Sequence, residues 1–109
     1  MEPAELETIR VKLAPTLEEL GVDKAILFGS ISRGTKSRKS DIDILLVVET
    51  EERFFDRYRR FEEIYSKLKG RSIDMLIYTP SELERIAHRS FIRRILAEGK
   101  TIYEQGLSG

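Results

Sequence analysis

The chain has 109 residues, 40% of them hydrophobic, which suits a single domain, 1–109, with one core, and argues against disorder. Lys plus Arg number 19 and Asp plus Glu number 19, a balance that speaks against a globally basic nucleic-acid binder. There is no cysteine, so disulfides and thiolate metal sites are excluded.

The first segment sets Leu6, Ile9, Leu13, Leu17 and Leu20 at helical spacing, with Gly21 as a stop and a kink or break expected at Pro15. Ala25-Ile26-Leu27-Phe28 is a short apolar run ending at Gly29 and reads as a buried strand. Ser30 to Ser40 is polar and basic, with Gly34 as a breaker, and predicts a short helical turn followed by a loop. Asp41 to Glu49 is apolar, rich in β-branched residues and short, so a strand is expected. Glu51 to Lys69 predicts one helix, since Phe54, Tyr58, Phe61, Tyr65 and Leu68 recur at steps of four and three before Gly70. A third strand is expected over Ser72 to Tyr78. Thr79-Pro80-Ser81-Glu82 then announces a helix, with Thr79 as N-cap and Glu82 closing a capping box. Leu83, Ile86, Phe91, Ile95 and Leu96 supply apolar positions over one helix or two short ones. Gly99 stops it, Lys100 to Glu104 suggests a short edge strand, and residues 105–109 read as a disordered tail. The order predicts an α/β or α+β fold, a small sheet flanked by helices. The N-terminus lacks a signal-peptide pattern and no apolar run approaches the roughly 20 residues that span a bilayer, so the cytoplasm is the expected location. High charge, no Asn and a single Gln, Gln105, give a thermophile-like composition.

Three features carry chemistry. Gly29-Ser30 follows a strand directly, where a glycine admits close approach of a ligand and a serine opening a helical turn offers a hydroxyl and unpaired N–H groups to phosphate. An isolated Gly-Ser pair is more often a plain turn. Asp41 and Asp43 are two apart at the head of a strand and so share a face. Adjacent carboxylates repel one another, and a divalent cation with substrate phosphates relieves that cost. The simpler alternative is a solvated strand entry with Asp41 as a cap. Asp74 interrupts the apolar run Ile73 to Ile77. Taken alone, it reads as a water-facing residue of an edge strand. If its strand pairs beside that of Asp43, three carboxylates gather on one face, a set able to hold two metal ions for in-line phosphoryl displacement.

The run Gly29-Ser30-Ile31-Ser32-Arg33-Gly34, followed by Ser40-Asp41-Ile42-Asp43-Ile44, closely resembles the GSxxRG…SDxD signature of the DNA polymerase β-like nucleotidyltransferase superfamily, whose short members are the minimal nucleotidyltransferases. The resemblance implies a polymerase β-like fold and transfer of a nucleoside monophosphate, AMP from ATP, to an acceptor. It implies that Gly29 and Ser30 contact the triphosphate, with Arg33 holding the turn or the phosphates. Asp41, Asp43 and Asp74 would bind two Mg²⁺ ions, which Mn²⁺ replaces, and Asp74 would also help activate the attacking hydroxyl. Polymerase-like relatives grip base and acceptor with further domains, and 109 residues leave no space for them, so the acceptor is expected in trans. In prokaryotes short members often pair with a helical HEPN protein as antitoxin to its toxin, and some transfer AMP onto the partner. A HEPN-like protein partner is therefore implied here too.

Other residues weigh less. Lys36, Arg38 and Lys39 form a basic loop beside the expected site, read equally well as phosphate attraction or as ordinary solvated loop. His88, the one histidine, reads as a surface residue. Tyr58, Phe61 and Tyr65 read as core. Adjacent Phe54 and Phe55 cannot both face one stripe, which leaves one for a protein interface. Two alternatives to the enzyme stand: a non-catalytic antitoxin or scaffold acting by binding a partner, and, less favoured by the zero net charge, a nucleic-acid-binding domain.

Overall fold

In–out alternation along the strands, interrupted by register shifts, divides the molecule into two packed faces. The computed structural model describes residues 3–28, 42–68, 70 and 72–105. The elements are α1 (Pro3–Glu19), β1 (Val22–Phe28), β2 (Ile42–Val48), α2 (Phe54–Arg60), α3 (Glu63–Lys67), β3 (Ile73–Tyr78), α4 (Pro80–Ile86), α5 (Ser90–Glu98) and β4 (Lys100–Glu104). The strands form one mixed sheet in the order β3-β2-β1-β4, with β2 and β3 parallel and β1 antiparallel to both β2 and β4. The short edge strand expected over Lys100 to Glu104 is β4.

On one face Leu27, Ile44, Leu46, Met75 and Ile77 bury against Ile9, Leu13 and Leu17 of α1 and against Phe61, Ile64 and Leu68. On the other, Ile26 and Leu45 bury against Ile92 and Ile95 of α5, with Leu83 and Ile86 of α4 packed alongside. Both faces are thus covered, as an apolar sheet with a parallel pair requires.

The sequence expectations differ from the structure in four places. Of the kink or break expected at Pro15, the break does not occur, and α1 runs on through it as one helix. Pro15 lies on the exposed side, where solvent substitutes for its missing N–H bond. The helix expected over 51–69 is two helices. The N–H groups of Glu62, Ile64 and Tyr65 bond to the carbonyls of Arg59, Phe61 and Glu62, i→i−3 bonds that tighten the chain around buried Phe61. The tightening shifts the phase, so Ile64 faces the core and Tyr65 is left 41% exposed. Along α5 the buried pair is Ile92 and Ile95, while Phe91 and Leu96 face outward. Gln105, assigned to the tail, donates its N–H to Asp23 O at 2.8 Å.

The helix boundaries otherwise follow local chemistry. Gly21, at φ 75°, turns the chain out of α1 in a left-handed conformation that glycine adopts freely. The capping box at α4 is complete: Glu82 N–H donates to Thr79 Oγ1 at 3.2 Å, and Thr79 N–H donates to Glu82 Oε1 at 3.0 Å.

Candidate functional site

β1 ends, and β2 and β3 begin, at the same margin of the sheet. Asp43 is the second residue of β2 and Asp74 the second of β3, and the parallel register sets them directly opposite one another. Phe28, the last residue of β1, is the partner of Asp43 on the other side. Alternation then fixes the face. Asp43 and Asp74 share parity with Leu45 and Leu76, on the side that α4 and α5 cover further along the strands. Neighbouring strands lie about 5 Å apart, so two carboxylates of like charge stand side by side. Asp43 is half-buried and Asp74 exposed, and buried Ile42, Ile44, Ile73 and Met75 on either side fix both backbones from below.

The other expected site residues, Gly29, Ser30, Arg33 and Asp41, lie outside the described residues, as does the basic loop of Lys36, Arg38 and Lys39. Among the described residues no group of three or more His, Asp or Glu is placed to hold a metal ion. The donor chemistry of Asp43 and Asp74 nonetheless fits a hard divalent cation, which prefers carboxylate oxygens completed by water and phosphate. His88 is exposed in the turn between α4 and α5. An apolar depression lined by Glu7, Thr8, Val11 and Lys12 lies on α1, across the sheet from the carboxylates, and offers no donor set for phosphoryl chemistry.

Two features were missed in the sequence, one near the carboxylates and one at the opposite end of β2 and β3. Phe91 of α5 packs edge-to-face on Phe28, with ring centroids 6.0 Å apart and planes at 83°. The signal for it was weak: Phe28 matches the parity of Asp43 only once the register is known. The second is Arg57. It is buried and bridges three elements, donating from Nη1 to Ile77 O at 3.1 Å and to Glu82 Oε1 at 2.7 Å, from Nη2 to Glu82 Oε2 at 2.9 Å, and from Nε to Glu52 O at 3.1 Å. The hydrogen bonds from Arg57, then that from the Thr79 N–H, hold the Glu82 carboxyl down at about 2. Its position, three after Phe54 and four before Phe61, was the available signal.

Comparison with known proteins agrees with this architecture. The family model described as "Polymerase beta, Nucleotidyltransferase" matches residues 11–106. Two proteins of Methanocaldococcus jannaschii, provisionally named protein adenylyltransferases, are similar in sequence. One is 34% identical over 73 residues, 67% of this chain and 77% of its own length. The other is 33% identical over 85 residues, 75% of this chain and 79% of its own. Among solved structures, a toxin–antitoxin with AMP-PNP matches at TM-score 0.67 and 24% identity, over 91% of this chain and 76% of that one. A provisionally named nucleotidyltransferase from Sulfolobus solfataricus matches at TM-score 0.61 and 23% identity, over 95% of this chain and 88% of its own. A family match over nearly the whole chain, on a mixed sheet that sets two aspartates side by side at one margin, makes the protein a member of the polymerase β nucleotidyltransferase family.

Proposed function

We infer that the protein transfers AMP from ATP to a hydroxyl of a protein partner, a HEPN-type toxin in the fullest form of the reading. The observation that carries it is the direct pairing of Asp43 with Asp74 at the margin where β1 ends. The provisional names of the two M. jannaschii relatives support AMP as the transferred group and a protein as the acceptor.

In this reading Gly29 and Ser30 hold the triphosphate, and Arg33 supports the turn or the phosphates. Asp41, Asp43 and Asp74 are the residues that would hold two Mg²⁺ ions. Such ions, when bound, neutralise triphosphate charge and favour departure of pyrophosphate. The acceptor oxygen attacks the α-phosphorus, the bond between that phosphorus and the α–β bridging oxygen breaks, and pyrophosphate leaves. The Asp74 carboxylate takes the proton from the attacking hydroxyl. Its exposed position on the outer strand suits it to meet an acceptor arriving from outside.

Incubation of a purified HEPN-type partner, encoded beside this chain, with Mg²⁺ and ATP tests the reading by mass spectrometry. A partner heavier by one AMP moiety, and only with active protein, is the expected result. A partner bound and inhibited but unmodified, with inhibition kept in Asp43→Asn, would replace it with the non-catalytic antitoxin reading.

A further inference from the structure

An aromatic side chain beside the carboxylates is left open where a neighbouring residue is buried. On α5, Ile92 is 3% exposed, whereas Phe91 is 56% exposed. Its ring does not hang free, because the edge-to-face contact with Phe28 fixes it at a centroid distance of 6.0 Å. Phe28 is the direct partner of Asp43, which is in turn the partner of Asp74. Adding strand spacing to ring separation places the exposed ring of Phe91 on the order of 10 Å from Asp43, with Asp74 one strand further. The first turn of α5 contains no acidic residue, Arg89 is its N-cap, and Arg93 and Arg94 follow, Arg94 being paired with Glu98 at 3.8 Å.

We propose that Phe91 is a base-stacking residue: its exposed face receives the nucleobase of the nucleotide whose phosphates lie at the carboxylates. The proposal rests on the nucleotidyl-transfer reading and adds the position of the base to it. A nucleotide spans the gap naturally, since its ribose separates the base from the α-phosphate. The ring is held before the ligand arrives, so stacking costs little side-chain entropy. Stacking does not depend on base-edge hydrogen bonds, so Phe91 contributes affinity for the nucleoside part and none for the phosphates.

The chain contains no tryptophan, which gives a direct reporter. In the Phe91→Trp protein the single indole emission is expected to be quenched by ATP with Mg²⁺ and left unchanged by inorganic tripolyphosphate with Mg²⁺. By calorimetry, Phe91→Ala is expected to lose roughly tenfold in ATP affinity while its tripolyphosphate affinity holds. Phe91→Tyr is expected to keep both. Undiminished ATP affinity in Phe91→Ala overturns the proposal while nucleotide binding stands. An equal loss for both ligands also overturns it, since the ring would then act on the phosphate site or the fold. A wild-type protein that binds neither ligand overturns the nucleotidyl-transfer reading, and the proposal with it.

Discussion

Asp43 and Asp74 show how far a single residue can be read from sequence. Each stands out as a carboxylate in an apolar strand, and alternation alone says which of its neighbours share its face. That the two are direct partners depends on β2 lying beside β3 in parallel, a long-range pairing with no local signature. The substitutions Asp43→Asn and Asp74→Asn separate chemistry from folding. Both positions carry like charge on a margin that is not fully buried, so removing one charge should leave the melting temperature within a few degrees. Under the proposed reading, AMP transfer should fall by roughly 100-fold or more in each, because charge stabilisation or proton acceptance worth several kcal/mol would be lost. Melting curves and transfer of labelled AMP read the two effects separately. Gly99 is the opposite kind of residue, structural: it reads in the sequence as a helix stop, and its close packing against β1 is visible only in the fold. A Cβ there would meet Ile26 Cγ2 and would lie 2.6 Å from Ile95 O and 3.0 Å from Leu27 O. The two carbonyls belong to the backbone and cannot turn aside. Gly99→Ala is expected to destabilise by about 1–3 kcal/mol, a fall in Tm of roughly 5–20 °C by scanning calorimetry.

At the scale of elements, what was legible was whatever local chemistry decides. The capping box of α4 and the glycine stop of α1 follow from neighbouring residues. The division of the 51–69 helix does not, because burial of Phe61 against the sheet draws the chain into a tighter turn. Arg57 then holds α2 to β3 and α4. Its side chain is 5% exposed, and its bidentate partner Glu82 is 31% exposed. Glu82→Gln would leave a buried guanidinium with weakened compensation. The expected cost is about 2–3 kcal/mol at neutral pH, below that of a fully buried pair because water reaches one side of Glu82. The pH dependence follows from the lowered Glu82 carboxyl, at about 2 when folded against an ordinary value of 4.5. The folded state binds the proton less readily than the unfolded chain. The stabilisation is therefore fully present above about pH 4.5 and is lost as pH falls toward 2. Between pH 5 and 2.5 the Tm of Glu82→Gln should decline less steeply than that of the parent protein. Parallel declines would show that the pair contributes nothing to acid sensitivity.

At the scale of the molecule, the element order predicted a helix-flanked sheet, and the strand order β3-β2-β1-β4 completes it. Strand order was not legible, because the residues of β1 and β4 that pair are far apart in sequence and both strands are short. The same arrangement sets the terms on which a ligand stabilises the whole fold. Balanced net charge gives the protein no general attraction for a polyanion. The paired aspartates repel a triphosphate locally, so ATP alone has little to gain at that margin. In the proposed mechanism a divalent cation would reverse the local sign and let carboxylates and phosphates share one ligand shell. Binding to the native state alone raises unfolding free energy by about 2.7 kcal/mol at a ligand concentration 100 times Kd. For a domain of this size that is a Tm increase of roughly 10–20 °C. ATP with Mg²⁺ is therefore expected to raise Tm by that order, ATP in EDTA to leave it nearly unchanged, and Asp43→Asn to lose most of the Mg²⁺-dependent increment. The comparison needs Mg²⁺ alone as a control, because weak ion binding to the carboxylates shifts Tm by itself. An equal shift from ATP in EDTA and in Mg²⁺ would show that the triphosphate is held without the carboxylates, and Asp43 and Asp74 would then lose their place in the site.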